Sequence, residues 1–291
     1  MSKEAKTFRP IQNFGKVKFL HKRSGGWGEF VKNLSLVWAY FGFNFKGGYA
    51  FRTSFWLQVW SMVFNDLIWV AFWVIYFARF PMVHGWQRRD ILFLWGVSAL
   101  AFGLMDVVFG NALRLGRIIS EGELDIYLSN PKPPLFHSLI SRQNVVGWGD
   151  LVFGLGVLFW SMPKDIVHGL ETLAAVGAAT LLLIGFVVMS QSLVFFIGGR
   201  EGLGNQLAEA FLVFSHYPSA IFHGWMIRII IFGVMPAGLI NALPLAVVNA
   251  VHPWLLWVSL AAGILEVLLA RLVFYRGLQV YTSGNRITIR T

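Results

Sequence analysis

Long apolar stretches alternate with short polar ones along the chain. Read at the roughly 20 residues a helix needs to cross a 30 Å hydrocarbon layer, they predict six spans at residues 53–78, 90–112, 143–162, 167–198, 220–240 and 253–275. Trp56, Trp60, Tyr76, Trp86, Trp148, Trp160, Trp225, Trp254 and Tyr275 fall near the predicted ends, where amphipathic rings settle at headgroup depth. Ahead of the first span, Phe30, Leu34, Val37, Trp38, Phe41 and Phe45 recur at helical spacing with Glu29, Lys32, Asn33 and Asn44 between them. That pattern predicts an amphipathic helix in the membrane plane, the alternative being a lead-in to the first span. The stretch 218–275 is too long for two straight crossings and is broken by Pro236, Pro244 and Pro253. It predicts a re-entrant hairpin between Leu239 and His252 on the outer side, which needs protein or a cavity to cover its free backbone groups.

The expected fold is therefore an all-α polytopic membrane protein. Residues 1–52 form a basic cytoplasmic tail and interfacial helix, 53–275 the six-helix transmembrane domain, and 276–291 a cytoplasmic tail. Composition supports the class: 56% of residues are hydrophobic, 13% are charged and the mean hydropathy is +0.63, values outside the range of soluble domains.

Charge sets the orientation. The formal charge of +10 is local, since residues 1–52 carry ten Lys and Arg against Glu4 and Glu29. A nucleic-acid binder would spread its basic residues over a folded polar face, whereas here they stop where the first apolar run begins, as suits an anchor on anionic lipid. With the amino terminus inside, twenty Lys and Arg fall on the cytoplasmic side and four, Arg79, Arg88, Arg89 and Lys164, on the other. The positive-inside rule then places both termini in the cytoplasm. The first 30 residues hold no apolar core with a small-residue cleavage site, so the amino terminus is expected to be retained. The absence of Cys excludes disulfides, thiolate metal sites and a Cys nucleophile.

The loop 113–142 is the most informative polar segment. Leu124, Tyr127 and Leu128 share a helical face, Glu121, Glu123 and Asp125 place negative charge in the first turn, and Asn130-Pro131 disfavours continuation. Stiffened by Pro131, Pro133 and Pro134, such a helix suits docking into a groove on another protein, and a solvated connector is the equal alternative. Asp66, Asp106, Asp150 and Glu266 lie inside predicted spans. Ionised groups there cost about 2.5 to 3.5 kcal/mol on insertion scales, so they should face protein or water. They read either as a proton relay or cationic-substrate site, or as packing partners of Asn65, Asn111 or Gln191. Arg228 reads as a residue snorkelling to the cytoplasmic headgroups.

Other chemistries lack their residues. The histidines lie singly, with no His-Glu-x-x-His pair, so no zinc hydrolase is expected. Gly96-Val-Ser-Ala99 lacks the second Gly of an intramembrane serine protease turn. Gly154 and Gly156, or Gly198 and Gly199, fit close helix packing or a helix end better than phosphate binding. The only Gly-Lys pair, Gly15-Lys16, is followed by Val17, so no phosphate loop for ATP exists.

Three motifs give a resemblance. They are Gly122-Glu-Leu-Asp-Ile-Tyr-Leu-Ser-Asn-Pro131; Tyr217-Pro218 leading to a span with Arg228 and Pro236; and Gly277-Leu-Gln-Val-Tyr-Thr-Ser-Gly-Asn285, within which Leu278, Tyr281, Ser283, Gly284 and Asn285 carry the pattern. In this order and spacing the chain resembles the permease subunits of bacterial ABC-type exporters of the second integral-membrane class, in the six-span branch. The resemblance implies an export permease of the inner membrane that is not itself an enzyme. Two such chains, identical or homologous, would form the pathway, and loop helices at Glu121 to Leu128 and Pro131 would couple to separate ATPase subunits that bind ATP and Mg. No cofactor is expected in this chain. The second reading is a proton-coupled secondary transporter using Asp66 and Glu266.

Overall fold

The computed structural model describes residues 26–162, 165–197, 201–218, 224–250 and 252–282. The basic tail, Lys164, Gly198, Gly199, His223 and the motif residues Ser283, Gly284 and Asn285 lie outside them. Thirteen α-helices are described: α1 (Gly26–Tyr49), α2 (Arg52–Arg79), α3 (Arg88–Val108), α4 (Leu115–Ser120), α5 (Leu124–Leu128), α6 (Pro134–Ile140), α7 (Gly147–Ser161), α8 (Ile166–Ser192), α9 (Val194–Ile197), α10 (Glu201–His216), α11 (Trp225–Ile229), α12 (Ala237–Val247) and α13 (Trp254–Val280). A π turn, Ile230–Val234, extends α11.

Among the described residues four helical segments are long and apolar enough to cross a bilayer: α2, α3, the run α8–α9 and α13. A fifth crossing is added if the pair Trp225–Val234 and α12, bent by 91° between them, counts as one broken span. At 1.5 Å per residue the 28 residues of α2 reach about 42 Å, enough for the 30 Å hydrocarbon layer. The 15 residues of α7 reach only about 22 Å, so the 143–162 span is shorter as a helix than its apolar run.

The cause is where α7 begins. Gly149 packs on the carbonyl of Val59 and on Met62, and Val59 stands about 10 Å along α2 from Arg52. The amino end of α7 therefore starts well inside the length of α2. Its packing on α3 uses two glycines seven residues apart on each side, Gly96 and Gly103 on α3 and Gly147 and Gly154 on α7. A Cβ at Gly154 would lie 2.7 Å from Leu100 Cγ and 2.9 Å from the Gly96 carbonyl, and one at Gly147 would lie 2.6 Å from Asp106 Cβ. The close-packing role expected for Gly154 is seen, whereas Gly156 faces open space. On the other side α8 packs along α13, where Gly263 meets Leu181 and the Ala178 carbonyl.

Between Pro218 and Pro253 the sequence expectation is changed. Residues from Leu239 to Val247 run as one helix with Pro244 inside it, and the sharp bend falls earlier, at Met235–Pro236. Proline fixes its own φ and removes a backbone donor, so a helix can restart on Pro236 but cannot run through it unbroken. The polar-looking stretch 201–216, left between spans by hydropathy, is the helix α10. It starts beside Ser190 and Gln191 at the end of α8, where Gly204 approaches both, and ends with His216 against Trp95. Asn241 Nδ2 donates to the Phe214 carbonyl (2.9 Å), and past the end of α12 Asn249 Nδ2 donates to Asp90 (3.0 Å). Together α10 and α12 thus trace the path from the carboxyl end of α8 to the start of α3.

That edge is clasped in two further ways. Residues Met82–Val83 and Trp86–Gln87 form a two-stranded antiparallel hairpin with register Met82↔Gln87 and Val83↔Trp86. His84 and Gly85 both take positive φ, 49° and 85°, as the tight hairpin turn requires. Trp86, expected at headgroup depth, is instead buried at 2% exposure. Arg89 Nε donates to the Ser161 carbonyl at 3.0 Å, tying α3 to the end of α7. At the other edge α1 lays Phe41 and Phe45 on Trp148, and Phe45 and Tyr49 on Phe55. Leu34, Trp38 and Phe43 remain exposed on it.

Candidate functional site

Four helices enclose a cavity of about 280 Å³. α2 contributes Met62, Asn65, Asp66 and Trp69; α3 adds Trp95, Ala99 and Phe102; α7 adds Asp150; and the end of α10 adds Leu212, Val213 and His216, followed by Tyr217. Asp66 lies midway along α2, about 20 Å from either end. Asp150 stands in the first turn of α7, where the helix dipole favours negative charge. The early start of α7 brings the two carboxyl groups close together at the cavity wall, beside Asn65. Trp69 stacks on Trp95 at 6.0 Å, Trp95 meets His216 at 4.8 Å, and Tyr217 packs edge-on against Trp73. His216 Nδ1 bonds the Leu212 carbonyl at 2.6 Å, which fixes the ring's orientation.

The remaining candidates are distributed elsewhere. Asp106 accepts from Asn144 Nδ2 at 2.8 Å while its carbonyl accepts the Asn144 amide, which pins the chain entering α7 to the end of α3. Glu266 is buried on α13 against Gly185 of α8, on a different helix pair from the cavity. Of the two carboxylates named in the second reading, Asp66 lines the cavity, together with Asp150, and Glu266 does not. Of the three amides expected as partners, Asn65 lines the cavity with Asp66. Asn111 donates to the Ser138 carbonyl and Ser141 Oγ, and Gln191 accepts from the Gly116 amide and donates to Asn205. Arg228 is exposed on α11. Pro218 is buried, Pro236 opens α12 at the bend, and Gly277 lets Phe195 lie against α13, with Leu278 and Tyr281 packed nearby on the core.

The 113–142 loop is a folded unit. Gly122, at φ 80°, turns the chain from α4 into α5, a left-handed position that suits glycine after a helix. Pro134 sits in the first turn of α6, where its missing N–H costs nothing. Tyr127 Oη bonds Ser141 Oγ at 2.8 Å and its ring meets His137 edge-on, His137 Nε2 bonds Tyr40 Oη at 2.7 Å, and Asn44 Nδ2 donates to the Ser141 carbonyl. The loop is thereby tied to α1, and through Asn111 to the end of α3. Burial, with the Lys132 charge second, holds the His137 imidazole below its ordinary pKa of 6.5, so it is neutral at physiological pH.

One expectation for this loop is corrected. Leu124, assigned to fill a partner's groove, is fully buried in this chain, and Tyr127 and Leu128 pack on the same core. The short helix covers its own domain before it can meet another. The face turned outward carries Ile126, 64% exposed, with Glu121, Glu123 and Ser129. Sequence reasoning also missed Trp69, Trp95 and His216, whose roles depend on which helix each meets and leave no periodic signal.

A family model described as ABC-2 family transporter protein matches residues 62–285. That range takes in the cavity and the whole 113–142 loop. Comparison with curated proteins and with solved structures gave no match. Since the match covers most of the chain, including every helix from α3 to α13, the chain belongs to the ABC-2 transporter family and is a multi-pass membrane permease of the ATP-binding cassette type.

Proposed function

We propose that this permease is half of the membrane unit of an exporter, pairs with a second permease chain in the bacterial inner membrane, and is driven by separate cytoplasmic ATPase subunits that bind ATP and Mg. The observation that carries this reading is the build of the 113–142 loop. It presents Ile126 beside exposed Glu123, with Glu121 paired to Arg117 at 2.9 Å, and a partly buried network through Tyr127, His137, Tyr40 and Asn111 joins it to α1 and to the end of α3. A push on α5 therefore reaches two other helices through side chains that have little room to yield. The chain itself has no phosphate loop, so it moves with ATP hydrolysis rather than performing it.

The expected result is that tagged chain, purified from native membranes, brings with it an ATP-hydrolysing subunit and a second permease chain. The closeness of Asp66 and Asp150 supports one alternative, a proton-coupled transporter. A chain that purifies without an ATPase, and transports on a pH gradient alone in liposomes, would establish that alternative and overturn the first reading.

The topology proposed with this function has six crossings, with α7 and its lead-in forming the third and the bent pair Trp225–Val234 and α12 the broken fifth. Both termini and the 113–142 loop face the cytoplasm, by the twenty-to-four distribution of Lys and Arg. Because the chain has no Cys, single Cys residues at the exposed positions Gly85 and Ser129 report without background. In intact cells an impermeant thiol reagent should label the Gly85→Cys variant and spare Ser129→Cys. The reverse pattern would invert the topology.

A further inference from the structure

We infer that the cavity between α2, α3, α7 and α10 is a binding site for a lipophilic organic cation, a molecule with an ammonium group on an apolar body. This names a substrate class for the transport function proposed above and rests on that reading for its physiological meaning, but the site stands on its own geometry.

Asp66 is 5% and Asp150 2% exposed, and on each the Oδ2 atom is buried without a hydrogen-bond donor among the described residues. Both side chains line the cavity. Two carboxyl groups this close need a proton or a cation between them, and a buried charge left unpaired is strongly destabilising. The described residues hold no group of three or more His, Asp or Glu suited to a metal ion, so the cavity lacks the oxygen-rich cage that a hard cation takes.

Its other walls are aromatic. Trp69, Trp95, Phe102 and Tyr217 surround the carboxylates, and ring faces attract ammonium groups, most strongly when water is excluded. Trp95 Nε1 is also buried without a partner, offering one donor to a hydroxyl or carbonyl on the same molecule. At about 280 Å³ the space lies at the small end of ligand pockets. The mouth runs past exposed Trp69, Val213 and Asn65 at the middle of α2, so an apolar body can enter from the hydrocarbon side while the ammonium reaches the carboxylates.

The test uses the full chain in nanodiscs of zwitterionic lipid, without ATP, and two probes of one shape: benzyltrimethylammonium and its uncharged carbon isostere neopentylbenzene. Equilibrium dialysis should show saturable binding of the cation, one per chain, and only lipid partitioning of the isostere. Asp66→Asn or Asp150→Asn should weaken cation binding at least tenfold, whereas Glu266→Gln, on a helix pair outside the cavity, should leave it unchanged. The comparison of probes on the unmodified chain needs no variant to fold. Equal behaviour of cation and isostere, or binding unchanged in both cavity variants, overturns the proposal. Because neither ATP nor transport enters the measurement, a chain that binds the cation but purifies without an ATPase would fail the transport reading alone.

Discussion

Ile126→Asp should abolish ATP-driven transport and co-purification of the ATPase while the permease remains folded, and Leu124→Ser should unfold the loop instead. The two residues are one helical turn apart at most, yet Ile126 is 64% exposed and Leu124 fully buried. An apolar residue at the centre of a docked surface is worth 2 kcal/mol or more, roughly a 30-fold loss of affinity when removed. A charge placed there adds the cost of burying it unpaired. Removing the Leu124 side chain instead leaves a cavity under α5 and costs about 2 to 5 kcal/mol of the loop's own stability. Thermal unfolding in detergent and pull-down of the ATPase distinguish the two outcomes. If Ile126→Asp keeps its ATPase and its transport rate, the outward face of α5 is not the docking surface.

Gly103→Val should cost the chain its native packing, with Gly156→Ala as the matched control. A Cβ at Gly103 would stand 2.8 Å from the Gly147 carbonyl and 2.9 Å from the Leu151 amide. Those are backbone atoms of α7 and cannot swing aside, so the helices must part. Overpacking of this kind costs about 1 to 3 kcal/mol for a well-packed core, and the branched side chain of Val enlarges the misfit. The displacement also has a functional reading, because α7 carries Asp150 to Asp66. The expected result is a lower yield of folded protein and loss of cation binding in whatever folds. A Cβ at Gly156 meets nothing within 4 Å, so Gly156→Ala should be neutral or stabilise α7 by about 0.5 to 1 kcal/mol. Equal stability of both variants would show that α3 and α7 are not held as closely as described.

Particular residues show how far local pattern reaches. The apolar run of residues 53–78 became α2, extended by one residue at each end, because hydropathy is local and lipid forces every backbone group in such a run to bond within its own helix. The short helix at residues 124–128 was legible from its apolar spacing and from the Pro residues behind it. Its facing was not. Leu124, Tyr127 and Leu128 form an apolar stripe whether that stripe meets a partner or the chain's own α6, and only the tertiary fold chose the second. Trp86 was read by residue type as an interfacial ring, and the hairpin turned it into the core.

The sequence by itself determined the class, the long crossings, the helical loop and the list of carboxylates that had to be covered, since each follows from the cost of polar groups in lipid. The tertiary structure decided which of those carboxylates meet. Asp66 and Asp150 are 84 residues apart, and their encounter depends on Gly149 seating α7 partway along α2. It depends equally on α10, a helix that hydropathy passed over, closing the space with His216. Such contacts are set by small residues that let backbones approach and by where a helix starts, and neither is written in the periodicity of any single segment.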